Sequence, residues 1–184
     1  MGLEAYRGLS PRVDPSAFVH EAATLIGQVT IGARASIWPG VVLRGDDGPI
    51  VIGDETSIQD GSVVHMTSGL SRTTVGARVT VGHGVILHGC TVEDECLIGM
   101  GAILLDEVRV GRGSVVGAGA LVTLGKEIPP GSLVYGNPAR IIRPCGEPER
   151  ALIENGWREY VTRCREYRAA RGLEPATQEA RGGA

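Results

Sequence analysis

Four histidines occur in the chain, His20, His65, His83 and His88, and three of them fall inside a recurring six-residue frame. His65 directly follows the aliphatic Val64, and His88 directly follows Leu87, so the two occupy the same phase of the frame. His83 stands two places after Val81 and therefore has a different phase. Neutral imidazole is a ligand for divalent transition metals, and three histidines with one open coordination position form a known catalytic zinc arrangement. Scattered surface histidines are the competing reading. That reading explains a single such residue better than it explains three of four, two of them in identical phase. His20 lies outside these columns and receives no role.

The frame that positions these residues repeats an aliphatic, often followed by glycine, with a small or β-branched residue four places later. Ile31-Gly-Ala-Arg-Ala-Ser, Val75-Gly-Ala-Arg-Val-Thr and Val116-Gly-Ala-Gly-Ala-Leu are examples. The aliphatic markers run Val13, Val19, Leu25, Ile31, Ile37, Leu43, then Ile52, Ile58, Val64, then Val75, Val81, Leu87, and from Val92 through Ile98 to Val134. The frame slips at 46–50, which holds a Gly-Pro turn, in the polar loop 66–74, and near Cys90. Fixed-period self-similarity marks a solenoid. The composition agrees: 28 glycines serve tight corners, and with aromatics at only 4% the core must be built from small and branched aliphatics. The period resembles that of left-handed parallel β-helices, in which three hexapeptides close one triangular coil. On that pattern the fold class is an all-β solenoid of about seven coils, at the parallel-strand spacing of about 4.8 Å.

Placed in such coils, His65 and His88 stack on one face of adjacent coils, with Arg44 in the same column one coil earlier. Asp60 stacks with His83 in a second column. One subunit cannot easily bring all three rings to one metal, whereas a second subunit can supply its His83 across an interface. A rotational homotrimer would repeat that site three times. The column of Arg44, His65 and His88 then faces the column of Asp60 and His83, which makes Arg44 and Asp60 an expected intersubunit ion pair.

The segments Leu43-Arg-Gly-Asp46, Ile58-Gln-Asp-Gly-Ser-Val-Val-His65 and Val81-Gly-His-Gly-Val-Ile-Leu-His-Gly-Cys90 resemble the γ-class carbonic anhydrase family. The likeness covers about residues 10–170, including Gly136-Asn-Pro-Ala-Arg140. It implies His65, His83 and His88 as ligands of zinc, or of ferrous iron or cobalt, in a homotrimer with metal sites at subunit interfaces. It implies Arg44 and Asp60 at the interface with Asp46 supporting Arg44, Gln59 as a residue orienting solvent, and Tyr160 as an active-site tyrosine. The implied reaction is the reversible hydration of carbon dioxide to bicarbonate. One departure matters: the loop 66–74 contains no Asp or Glu, where well-studied active members carry an acidic loop with a proton-shuttling glutamate. This resembles the shorter-loop branch, and Glu159-Tyr-Val-Thr-Arg-Cys-Arg165 also resembles a phenylacetate-degradation member that acts as a thioesterase. The alternatives are therefore an acyl-CoA thioesterase on the same metal site, a hexapeptide acyltransferase using one histidine as base, and a structural subunit stapled by its metal.

After Pro144 the hexapeptide signal ends, and Ile153, Trp157, Tyr160, Val161, Cys164 and Tyr167 recur at helical spacing. The expected organisation is a β-helix over 10–146, one C-terminal α-helix over 147–171 packed on the prism through Ile153, Trp157, Val161 and Cys164, and a disordered tail over 172–184. Cys90, two places after His88, can be imagined as a thioesterase nucleophile, but a small thiol at a tight repeat turn reads as packing. The recurring Gly-x-Gly clusters read as corners, and Arg78, Arg109 and Arg112 as solvated face charges. The formal net charge of −3 gives no basic stripe for nucleic acid. No apolar run is long enough to span a membrane, and the N-terminal residues lack a secretory h-region. The four cysteines form no C-x-x-C pair and read as reduced thiols of a cytoplasmic protein.

Overall fold

In the computed structural model of the chain, residues 2–173 are described. They form a parallel β-solenoid closed by one C-terminal helix, Glu147–Ala170. The six-residue period appears as short strands separated by turns, each paired in parallel with the strand one coil away. Three faces result. The first stacks Val42–Arg44, Val63–His65, Ile86–His88, Ile103–Leu104 and Leu121–Val122. The second runs from Phe18–Val19 through Ser57–Ile58 and Thr80–Val81 to Ser132–Gly136, which folds back antiparallel with Ala139–Pro144. The third runs from Arg12–Val13 through Ile50–Ile52 and Thr73–Val75 to Glu127–Ile128. Two long strands, Thr24–Ile31 and Val42–Ile52, turn a corner and belong to both the first and the third face.

The aliphatic markers point inward as the period requires. Leu25, Ile37, Leu43, Ile58, Val64, Val81, Leu87, Ile98 and Leu104 are fully buried, while Val13 and Val19 pack at the open first coil. The small residues four places on, such as Ala35, Ser62, Val85 and Ala102, fill the same layers. Where such a residue is polar it bonds to the neighbouring coil: the buried Ser62 hydroxyl donates to Gly82 O at 3.0 Å. Burying a polar group in a thin aliphatic layer is costly without such a partner.

The parallel ladder begins earlier than expected from the markers. Gly2–Glu4 pairs in register with Thr24–Ile26, a segment too short and too isolated from the first repeat to show periodicity. The arginines read as solvated charges lie at the surface and also have carboxylate partners, Arg78–Glu95 at 2.9 Å and Arg112–Glu95 at 2.8 Å, and Arg34 pairs with Glu55 at 2.9 Å. Arg109 likewise pairs with Glu93. Arg34–Glu55 and Arg78–Glu95 follow from the coil spacing, because residues in equal phase on successive coils are neighbours, whereas Arg112 and Arg109 reach their partners across phases.

The helix lies along the second face and touches the strands from Phe18–Val19 to Leu97–Ile98. Of its expected stripe, Ile153 and Cys164 are buried, and Trp157 and Val161 are partly buried. The buried Arg168 was not part of that stripe; it donates to Ala17 O at 2.6 Å, which makes its burial tolerable. At Gly156 a Cβ would lie 2.9 Å from Thr80 Oγ1, so glycine lets the helix approach the sheet closely. The helix reaches Ala170, and residues 174–184 of the expected tail lie outside the described residues. No described helix is long and apolar enough to cross a membrane.

Candidate metal centre

His65 and His88 pair directly in the parallel ladder of the first face, with Val64 and Leu87 fixed beneath them in the core. One nitrogen of each ring, His65 Nδ1 and His88 Nε2, lies 3.3 Å from the other. Two nitrogens bound at about 2.0–2.1 Å to one tetrahedral ion stand roughly 3.3–3.4 Å apart. The surroundings decide which nitrogens carry protons. Arg44 Nη2, always a donor, reaches His65 Nδ1 at 3.3 Å, so that nitrogen accepts. His65 Nε2 then donates to Asp46 Oδ1 at 3.2 Å. On the second ring, His88 Nδ1 donates to Asp106 Oδ2 at 2.9 Å, which leaves Nε2 with its lone pair. For neutral rings the two facing nitrogens are therefore both acceptors, an arrangement that a cation between them relieves.

His83 sits in the corner between the second and first faces and is half exposed, with its Nδ1 3.0 Å from Asp60 Oδ2. From that corner to His88 the chain crosses a full face, about 10 Å for the three steps from Val85 at about 3.3 Å per residue. Among the described residues no position brings ligand atoms of all three histidines together. The group that does converge is Asp46, Asp47 and His65, within 4.8 Å. Arg44 already supplies the positive charge there, with Nη1 2.7 Å from Asp46 Oδ2. Burial pushes the Asp46 carboxyl up, but the hydrogen bonds from Arg44 and His65 outweigh it and hold the group below the ordinary carboxylate range.

Gln59 is buried beside His83, at the head of a shallow groove lined by Leu97, Met100, Val115 and Leu152. Tyr160 reaches the prism from the helix and packs edge-on against Trp38 with ring centroids 5.5 Å apart. Burial raises its pKa, Arg163 opposes that, and the negative charge of Asp60 adds to it. Cys90 is fully buried in the core, and desolvation pushes its thiol up to about 12, so it is packing and no nucleophile at neutral pH. All four cysteines are free. A cavity of about 480 Å³ lies under the start of the helix beside Cys145, Ile153 and Trp157 and has no histidine in its lining, so it is separate from this centre.

Asp106 is the site residue that the repeat reading missed. Burial pushes its carboxyl up, but hydrogen bonds from Ser71 and His88 outweigh this and hold it below the ordinary range. Its signal was present in the sequence: it stands two places after marker Leu104, in the phase of Gly89, which directly follows His88.

The hexapeptide family described as bacterial transferase hexapeptide (six repeats) matches residues 89–123. The chain is 49% identical over 156 residues to the mitochondrial gamma carbonic anhydrase 1 of Arabidopsis thaliana, covering 82% of this chain and 57% of that protein. It thus spans little more than half the length of that plant relative. It is 43% identical over 164 residues to a carbonic anhydrase of Geobacillus kaustophilus, covering 89% of this chain and 90% of that protein. Among solved structures, a hexapeptide transferase family protein from Anaplasma phagocytophilum superimposes with a TM-score of 0.87 at 42% identity, over 90% of this chain and 98% of that one. The two named anhydrases cover most of this chain at an identity well above what a shared repeat alone produces, and on that ground the chain belongs to the γ-class carbonic anhydrase family of hexapeptide-repeat proteins.

Proposed function

We propose that the chain is a homotrimeric, metal-dependent enzyme that hydrates carbon dioxide reversibly to bicarbonate. Each centre would be held by His65 and His88 of one subunit and His83 of the partner subunit, with zinc as the metal and ferrous iron or cobalt as alternatives. The observation that carries this reading is the pair of facing acceptor nitrogens 3.3 Å apart on His65 and His88, with the third histidine turned outward at a corner. Neutral imidazoles fit a divalent ion, and three of them leave one coordination position open. When bound, such an ion lowers the pKa of its water from about 15.7 to about 7 and so supplies a nucleophile for carbon dioxide at neutral pH.

The chain's own groups do the rest. Asp60 holds the Nδ1 proton of His83 and leaves Nε2 free toward the interface. Arg44, which now spans Asp46 and His65, turns to Asp60 of the partner subunit and frees His65 Nδ1. Gln59 orients the reacting solvent by hydrogen bonding, and Tyr160 walls the same side. With no carboxylate in the loop 66–74, export of the proton depends on the buffer. The test is a carbon dioxide hydration assay on the zinc-loaded protein. Slow turnover that rises with added imidazole is expected, and no hydration in any buffer refutes the reaction. Gln59→Ala should keep zinc and assembly yet lower kcat by about 10–100-fold, the range seen for outer-sphere changes. Hydrolysis of an acyl thioester at the same centre is a second reading. The observation in its favour is the apolar groove of about 310 Å³ running from Gln59 and His83 to Met100 and Leu152. An acyl-CoA panel assayed beside carbon dioxide separates the two.

A further inference from the structure

The geometry points to Asp106 as a positioning residue for the metal centre, held in place by hydroxyl groups of the short loop that follows His65. This inference rests on the metal-centre reading above. Asp106 receives four donors: Ser71 Oγ at 2.5 Å and the Thr67 amide at 3.4 Å on Oδ1, and Thr67 Oγ1 at 3.1 Å and His88 Nδ1 at 2.9 Å on Oδ2. A carboxylate that accepts from all sides leaves the His88 ring one choice, with its proton on Nδ1 and its lone pair on Nε2. Neutral imidazole in water prefers the opposite tautomer, which places the proton on the nitrogen a metal needs. Asp106 therefore presets His88 as a donor before any ion arrives.

The loop 66–74 is built around this contact. At Gly89, next to His88, an added Cβ would sit 2.0 Å from Asp106 Oδ1 and 2.2 Å from Ser71 Oγ, so the absent side chain makes room for the pair. The left-handed φ of +62° at Gly89 suits glycine for a second, independent reason. Thr73, fully buried at the loop's end, donates to His65 O at 2.6 Å and accepts from the Gly89 amide at 3.0 Å. One loop thus fastens both histidine strands, through Thr73 on the backbone and through Ser71 and Thr67 on the Asp106 carboxylate. A loop without acidic residues positions the site with hydroxyls.

Zinc affinity of the full-length protein, measured by chelator competition with zinc alone, tests this. Asp106→Ala is expected to bind about 10–100-fold more weakly with its assembly unchanged by sedimentation. Asp106→Asn, whose oxygen still accepts from Nδ1, should recover most of the loss, and Ser71→Ala should weaken binding several-fold. The chelator-stripped wild type labelled with 15N-histidine gives a readout independent of any variant: His88 should carry its proton on Nδ1. Wild-type zinc affinity in a correctly assembled Asp106→Ala protein, or a proton on His88 Nε2 in the wild type, overturns the assignment. If the wild type takes up no zinc at all, the metal-centre reading fails, and the proton position on His88 still decides the role of Asp106.

Discussion

His88→Ala is expected to lose most bound zinc and nearly all turnover. The ring supplies one of the two convergent nitrogens of the first face, and without it His65 offers a single nitrogen there. Changes to groups that only support a ligand cost about 10–100-fold, and loss of the ligand itself must cost more. The fold should survive. His88 is partly exposed, and its neighbours Leu87 and Cys90 keep their places in the core. His20→Ala is the control, because His20 Nδ1 accepts from the Ala22 amide at 3.1 Å and has no place in either column. Zinc per subunit after dialysis, together with the melting temperature, reads out the difference. A His88→Ala protein with full zinc content would remove the site assignment.

Trp38→Ala should be strongly destabilising while keeping all three histidines in place. The chain has few aromatics, yet Phe18, Trp38, Tyr160 and Tyr167 gather at one end of the helix. Trp38 is 6% exposed, and its ring centroid lies 5.4 Å from Phe18, 5.5 Å from Tyr160 and 5.1 Å from Tyr167. Its indole N–H donates to Ser36 Oγ at 3.0 Å. The core layers of the prism are filled by aliphatics such as Leu25, Ile58 and Val81, but this ring couples the helix to the prism. Truncating a buried tryptophan costs about 3–5 kcal/mol. Limited proteolysis should then cut within 147–170, and urea unfolding should shift by the stated amount. A loss below about 1 kcal/mol would show that the aromatic cluster does not hold the helix.

The repeat made most of the fold legible, because one aliphatic every six residues is a demand the core places on every coil. Leu43, Val64 and Leu87 could be stacked on paper, and with them Arg44, His65 and His88. The same arithmetic placed His83 with Asp60 at another phase, where the structure has them. What escaped the reading depends on contacts between different phases or outside the repeat. Asp106 reaches His88 diagonally across Gly89, and Ser71 and Thr67 meet it from a loop that has no register. Gly2–Glu4 is held by pairing with Thr24–Ile26, with only Leu3 to show for it in sequence. Arg168 lies outside the helical spacing read from the sequence, and its long stem crosses buried surface to a backbone carbonyl.

Whether the metal is shared between subunits can be measured by complementation. His83→Ala and His88→Ala proteins each lack a ligand of every centre in their own trimers and should each hold little zinc. Co-refolded in equal amounts, they form mixed trimers in which an intact His65–His88 pair can meet an intact His83 of the partner subunit. Random assembly restores about one centre in four. Zinc content of the mixed trimers should rise to about that fraction, with activity rising in parallel. If the mixture holds no more zinc than the separate variants, or if either variant alone holds wild-type zinc, the centre is not shared between His65, His88 and a partner's His83.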